Sequence, residues 1–244
     1  MDAEGSQQES SVARQRALAD ASAGPDLIPL LNEDLALALL NRGDLPAETL
    51  EHLSQNPAAM KSRKVCVALA AHPRTPRHVA LRLLRQLYTF DLMRLALHPA
   101  VAADLKRLAD GQLVARLASV TLGERLTLAR RGSQTVAAAL LLDKEARVSH
   151  TALENSRLTE SAIIKALLRP NARAAFVEAV CHHPKWSVRR EIRLTLLRSP
   201  HTPLASALEF ARTLPPPILR DILHASRLPE RIKTYLRNTL KERT

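Results

Sequence analysis

Apolar residues recur along this chain at spacings of three and four, in short stretches separated by turn-forming residues. Between residues 76 and 87 the apolar positions are Val79, Ala80, Leu83, Leu84 and Leu87. Such a stripe predicts a short amphipathic helix that buries one face. The same pattern predicts helices over 159–168 and 187–198. Their inward positions are Ile163, Ile164, Leu167, Val188, Ile192, Thr195 and Leu196.

A turn recurs between these helices, and several of its copies contain proline. Eight copies begin at Arg42, His72, His98, Arg131, Asn155, His183, Ser199 and Ala225. The successive spacings are 30, 26, 33, 24, 28, 16 and 26 residues, a loose period of one helical hairpin. The 16-residue step indicates either a truncated unit or a turn within a unit.

The turn residues have a consistent chemistry. Proline disfavours helical geometry in the residue before it, so the prolines should end the preceding helices. These prolines are Pro73, Pro99, Pro184 and Pro200. The pairs Thr75-Pro76 and Thr202-Pro203 predict an N-cap followed by proline at the first helical position, and Thr159 and Ser187 predict N-caps without proline. The recurring histidines, His72, His98 and His183, are expected to satisfy carbonyls at helix ends.

A single hairpin of this kind cannot bury its own apolar stripe, whereas stacked neighbours can. The predicted fold is therefore all-α, an α-solenoid of about seven or eight degenerate helical hairpin repeats. Residues 1–25 are acidic and polar and are expected to form a disordered N-terminal arm. Residues 26–244 are expected to form the α-helical repeat domain, with a polar capping helix near 229–241.

Two segments resemble known repeat families. His72-Pro73-Arg74-Thr75-Pro76, followed by Val79 and Leu83, resembles the unit of the leucine-rich repeat variant proteins. The segment from His183 to Arg189 is similar to a HEAT repeat. These likenesses imply a bacterial HEAT-like α-solenoid, and the leucine-rich repeat variant family implies alternating α- and 3₁₀-helices. Some members of that family carry an iron–sulfur cluster, but no cysteine cluster precedes the repeats here.

Charge is distributed unevenly along the chain. The net charge is +12, but residues 1–34 carry −5 and the remainder +17. A basic body favours an acidic partner such as nucleic acid, anionic lipid or an acidic protein surface. Most of the cations are arginines, which suit bidentate contacts with phosphate or carboxylate, although arginine content also rises in GC-rich genomes. One hypothesis is that the acidic arm folds back on the body as a mimic of the partner.

Two basic sets are candidate partner-binding sites, and each has a plainer interpretation as a solvated helix face. The first set is Lys185, Trp186, Arg189, Arg190 and Arg193, in which Trp186 would either stack on a base or cover the end of a hairpin. The second set is Arg74, Arg77, His78, Arg82 and Arg85. Equivalent positions in a solenoid share a surface, so the two sets could form one stripe.

Catalytic and metal-binding patterns are not found in the sequence. It contains no phosphate-binding loop, nucleophile elbow or zinc-protease motif. Cys66 and Cys181 suggest neither a disulfide framework nor a metal cluster. We expect no cofactor, metal or small-molecule site, no membrane span and a cytoplasmic location.

The expected function is that of a non-enzymatic scaffold for a protein or nucleic acid. The enzymatic alternative is a HEAT-like alkylpurine DNA glycosylase, a family that holds its lesion with aromatic residues and a carboxylate.

Overall fold

The structure, a computed structural model, describes residues 32–241 and contains sixteen α-helices and no β-strand in that range. The all-α prediction is confirmed. The chain divides into two compact units, Met1–Ala115 and Arg116–Thr244. The predicted arm, residues 1–25, lies outside the described residues. None of the described helices is long and apolar enough to cross a membrane.

The described part of the first unit contains seven helices. They are α1 (Glu33–Leu40), α2 (Ala47–Gln55), α3 (Pro57–Lys61), α4 (Arg63–Ala71), α5 (Arg77–Gln86), α6 (Thr89–Leu97) and α7 (Ala103–Arg116), the last residue of which falls in the second unit. Helix α4 packs against α1, α5 and α6. The predicted stripe of α5 is confirmed as buried, since Val79, Leu83 and Leu87 are each at most 3% exposed.

The described part of the second unit contains the other nine helices. They are α8 (Leu122–Arg131), α9 (Gln134–Leu140), α10 (Ala146–Leu153), α11 (Glu160–Leu167), α12 (Ala174–His182), α13 (Arg190–Leu196), α14 (Leu204–Arg212), α15 (Pro216–Ala225) and α16 (Glu230–Lys241). Helix α10 packs against α8 and α12, and α11 packs against α9 and α13. From α8 to α13, helices two places apart in the chain therefore pack together and form two alternating sets, α8–α10–α12 and α9–α11–α13.

Three of the four prolines follow directly on the end of a helix as predicted, whereas α13 ends at Leu196, four residues before Pro200. His72, His98 and His183 each precede a proline, and each has an extended backbone, with ψ between 123° and 131°, immediately after a helix. This geometry removes the residue from the helix because the proline ring would clash with a helical predecessor. The described residues contain α-helices but no 3₁₀-helix, unlike the alternation that the likeness to leucine-rich repeat variant proteins implies.

Thr159 is the N-cap of α11, as predicted, although its side chain forms no capping hydrogen bond. The predicted caps at Thr75 and Thr202 are wrong, and their hydroxyl groups have another role. Pro76 and Pro203 occupy the N-cap positions of α5 and α14. Thr75 and Thr202 instead donate from Oγ1 to the carbonyls of Leu69 and Leu196, six residues back, at 2.6 Å. Each hydroxyl thus adds a second donor to a carbonyl in the last turn of the preceding helix, which also accepts the N–H of His72 or Ser199.

The predicted helix over 187–198 is shorter in the structure. Helix α13 begins at Arg190, with Arg189 rather than Ser187 as its N-cap. Val188 consequently lies outside the helix and is 60% exposed, so its predicted burial is wrong, whereas Ile192 and Leu196 are buried.

The 16-residue step between two of the recurring turns also has an explanation. Asn155 and His183 follow α10 and α12, but Ser199 follows α13, a helix of the other alternating set.

Side chains in the turns bridge to earlier turns. Asn155 is 1% exposed and donates from Nδ2 to the carbonyls of Ala129, at 2.8 Å, and Gly132, at 3.2 Å. Its Oδ1 accepts the N–H of Arg157 at 2.8 Å. A Cβ at Gly132 would collide with the carbonyl oxygen of Leu128, so glycine is required at this close approach.

Two of the three recurring histidines follow the same pattern. Nε2 of His72 bonds the carbonyl oxygen of Arg42 at 2.9 Å, and Nδ1 accepts the N–H of Arg74. Nδ1 of His183 accepts the N–H of Lys185, while Nε2 lies 3.2 Å from a carboxylate oxygen of Glu154. That second contact has the distance of an ion pair without the alignment of a hydrogen bond. His98 differs, because it is exposed. The predicted carbonyl-capping role is therefore seen at His72 only.

Replacing Asn155 with alanine should destabilise the second unit by about 2–4 kcal/mol. The substitution removes three hydrogen bonds and leaves two buried carbonyls without a donor. Trp186 is the protein's single tryptophan and is buried in this unit, so its fluorescence during urea unfolding reports the change. The exposed neighbour Ser156→Ala is the control and should shift stability by less than about 0.5 kcal/mol. Equal midpoints for the two variants would contradict the bridging role.

Cys181 should resist alkylation in the folded protein. Burial raises the pKa of this thiol to about 11, so little thiolate is present near neutral pH. Only the thiolate reacts, and below the pKa its fraction rises about tenfold per pH unit. The rate of alkylation should therefore rise about tenfold per pH unit between pH 7 and 10. Iodoacetamide modification of a Cys66→Ser variant, followed by mass spectrometry, measures this rate. Modification at pH 8 as fast as in urea would contradict the prediction.

Candidate anion-binding surface

The second basic set of the sequence, Arg74, Arg77, His78, Arg82 and Arg85, lies in the first unit and is called the first-unit set. Three of its arginines form internal contacts. Nη1 of Arg74 donates to the carbonyl of Asp44 at 2.9 Å, and Arg77 forms an ion pair with Asp104. Nη2 of Arg82 donates to both the carbonyl and the hydroxyl of Ser54 at 2.9 Å. These contacts join residues 27 to 30 positions apart and so hold successive turns together.

The remaining members of the first-unit set are His78 and Arg85. Nε2 of His78 lies 3.1 Å from a carboxylate oxygen of Glu51. Arg85 is exposed on α5. The first-unit set is therefore largely a structural network on a solvated face, the plainer of the two interpretations.

Trp186 in the second unit is a packing residue. Its ring is 3% exposed, and Nε1 donates to the carbonyl of Leu153 at 2.9 Å. The ammonium group of Lys185 lies 4.2 Å from the ring centroid, in a cation–π contact on the outer face. A ring enclosed in this way cannot stack on a base, so the stacking alternative for Trp186 is wrong and the hairpin-covering alternative holds.

Arg193 does not belong to an exposed ridge. Its Nε donates to the carbonyl of Ser187 at 2.6 Å, and Nη1 donates to the hydroxyl of Thr213 at 3.2 Å. The guanidinium carbon also lies 5.3 Å from the ring centroid of Phe210. The four-residue spacing from Arg189 predicts a shared surface, but α13 begins only at Arg190, and Arg193 turns toward its neighbours.

Lys185, Arg189 and Arg190 remain available to a partner. All three are exposed, and neither arginine has a side-chain hydrogen bond or ion pair with another described residue. The nearest acidic residue in sequence, Glu191, is also exposed. We call these three residues the cationic cluster. The cluster can offer two guanidinium groups and one ammonium group to phosphate or carboxylate oxygens.

Two further arginines form ion pairs that the sequence analysis did not predict. Arg63 contacts the buried carboxylate of Asp91 with two nitrogens, at 2.6 and 2.8 Å, and this pairing raises the pKa of the guanidinium. Arg125 lies 3.3 Å from Asp143, with both side chains about 10% exposed. The partners are 28 and 18 positions apart, and neither spacing gives a local signal.

The aromatic residues are poorly placed for a lesion-binding pocket. Only Tyr88 and Tyr235 are exposed among the aromatic residues, all six of which are described, and they lie in different units. The two candidate sets also lie in different units.

Within residues 32–241, no three His, Cys, Asp or Glu side chains are grouped as metal ligands would be.

Models of protein families, curated proteins and solved structures each give no match to this chain.

Arg193→Ala should destabilise the second unit, whereas Arg189→Ala should not. The first change removes two hydrogen bonds from a charged donor and one cation–π contact, with an expected loss of about 1–3 kcal/mol. The second removes an exposed side chain and should shift stability by less than about 0.5 kcal/mol. Urea unfolding followed by Trp186 fluorescence compares them. A larger loss for Arg189→Ala would place that side chain in the internal network.

Proposed function

We propose that the protein is a non-enzymatic scaffold that binds an acidic macromolecule through the cationic cluster of its second unit. We further propose that the helices form a HEAT-like α-solenoid of degenerate hairpins related to the leucine-rich repeat variant type. Nucleic acid is the partner class that the cluster fits better, and an acidic protein surface is the competing class. The single observation that carries the proposal is the exposure of Arg189 and Arg190 without acidic partners among the described residues.

The alternate packing of helices supports the solenoid. In the second unit, α8, α10 and α12 contact in series, as do α9, α11 and α13. Side-chain hydrogen bonds between successive helices and turns span 23 to 33 residues, close to the spacing of the sequence repeats. Stacked repeats produce contacts of this kind, because each repeat buries its apolar face only against the neighbouring repeats.

The different environments of the arginines support a binding role for the cluster. Arg74, Arg77, Arg82 and Arg193 each have internal partners. Arg189 and Arg190 lie at the start of the same helix without comparable contacts. Phosphates attract such cations and release condensed counterions when they bind, so the free energy of association comes without any need for buried apolar area.

The surroundings of the cluster favour nucleic acid over protein. Val188 is the one large apolar side chain exposed within the described segment 185–191. The core of a protein–protein interface is depleted of charged residues and enriched in aromatic ones. A surface dominated by guanidinium and ammonium groups matches a phosphate backbone more closely.

An Arg189→Gln/Arg190→Gln variant should bind nucleic acid more weakly and with a smaller salt dependence. Losing two phosphate contacts should reduce the slope of log affinity against log salt by about 1.4 for single strands and about 1.8 for duplex. Fluorescence anisotropy with labelled single- and double-stranded oligonucleotides, between about 50 and 200 mM salt, measures the slope.

The control variant, Arg212→Gln/Arg220→Gln, carries the same loss of charge in the same unit. Both control arginines are exposed and have no side-chain bond to another described residue. Equal weakening in the two variants would mean that only net charge matters and would overturn the assignment of the cluster. Absence of oligonucleotide binding at about 50 mM salt would exclude nucleic acid and favour the acidic protein.

A further inference from the structure

A cleft of about 260 Å³ lies in the second unit, where the turns after α11, α13 and α15 meet. Arg169, Arg198 and Arg227 line it, one from each turn. The turns are adjacent, since the N–H of Arg227 donates to the carbonyl of Arg198 at 3.2 Å. Three separate elements therefore bring guanidinium-bearing residues to one concave surface.

The three arginines occupy equivalent places in the chain. They are spaced 29 residues apart, and each is followed within two residues by a proline, at positions 170, 200 and 229. This spacing is more regular than that of the turns used to identify the repeats. Because the arginines recur with the helical hairpins, the fold itself aligns them on one surface.

The cleft has no acidic lining. Its nine other lining residues include no Asp or Glu, and His201 is the only one with a titratable side chain. Glu230, three residues after Arg227, is held by Lys233 at 3.0 Å and Arg237 at 3.6 Å. The three guanidinium groups have no ion pair with another described residue. Three arginines from separate turns therefore line one concave surface that has no carboxylate among its lining residues.

A smaller cleft in the first unit provides the contrast. It encloses about 140 Å³ and is also lined by an arginine, Arg77. There Asp104 lines the same cleft and forms an ion pair with Arg77. The protein thus neutralises a cleft arginine with its own carboxylate in one unit and provides none for three arginines in the other.

We propose that the cleft of the second unit binds phosphoryl groups, with Arg169, Arg198 and Arg227 as the cationic ligands. Guanidinium groups form paired hydrogen bonds with phosphate oxygens, and their weak hydration favours them in partly enclosed sites. The volume lies below the range of about 300–1,000 Å³ typical of drug-sized ligands. The cleft therefore suits a compact polyphosphate or a length of phosphodiester backbone rather than a whole nucleotide.

This site is separate from the cationic cluster and does not depend on it. Arg190 begins α13, and Arg198 follows its end. Seven helical residues, about 10 Å at 1.5 Å per residue, separate the two surfaces. Either surface can therefore be altered without changing the other.

Isothermal titration of the full-length protein with inorganic tripolyphosphate at about 50 mM salt tests the proposal. The triple variant Arg169→Gln/Arg198→Gln/Arg227→Gln should lose at least about 100-fold in affinity, since each charge-assisted contact contributes tenfold or more. The matched control Arg212→Gln/Arg220→Gln/Arg231→Gln removes three exposed arginines of the same unit that do not line the cleft. It should lose less than about threefold. Fluorescence of Trp186 checks that both variants are folded.

Competition with a labelled single-stranded oligonucleotide separates the two sources of phosphate. Displacement of the oligonucleotide by tripolyphosphate, with loss of both in the cleft variant, would support a phosphodiester backbone as the ligand. Tripolyphosphate binding without competition would support a free polyphosphate. Arg189→Gln/Arg190→Gln should leave tripolyphosphate affinity unchanged, so failure of the cluster and failure of the cleft are distinguishable. No saturable tripolyphosphate binding, or equal losses in the two triple variants, would overturn the proposal.

Discussion

Every described helix of this protein is short, and a short helix leaves a large share of its backbone groups without intrahelical partners. The helices span 5 to 14 residues, whereas each helix end leaves four N–H or C=O groups to be satisfied elsewhere. Isolated helices of this length are marginal in water. The fold therefore depends on hydrogen bonds at the turns, where Thr75 and Thr202 close the helix behind them, and Asn155 and His72 reach the carbonyls of an earlier turn.

This dependence also determines how arginine is used. A guanidinium group has five donors and a long stem, so one arginine can satisfy carbonyls of a neighbouring turn while its stem covers apolar surface. Arg82 and Arg193 act in this way, and Arg63 neutralises a buried carboxylate. Much of the positive charge that a reader of the sequence would assign to a partner is internal. The arginines proposed for binding are those that have no such contact with another described residue.

The apolar pattern predicted the all-α class, the stripe of α5 and the proline-ended helices, because these depend on spacing within one helix. The sequence left Trp186 open between stacking on a base and covering a hairpin, and it did not predict the inward turn of Arg193. Both depend on where α13 begins and on groups 20 to 33 residues away. Thr75 lacks the capping role its sequence favours because Pro76 takes the N-cap position. The regular 29-residue spacing of Arg169, Arg198 and Arg227 was visible in the sequence, but only the cleft shows that the three residues share a surface.

Repetition connects the stability of the fold with the proposed binding. If one turn presents an arginine to solvent, an equivalent turn presents another at a fixed distance, and a ligand with several phosphoryl groups can contact both without a further loss of translational freedom. The first unit shows that the arrangement is not automatic, because Asp104 pairs with Arg77 in its cleft. In the proposed repeat fold, an anion site would lie where equivalent turns carry arginines without acidic partners. The second unit has that composition around Arg169, Arg198 and Arg227, where no carboxylate lines the cleft.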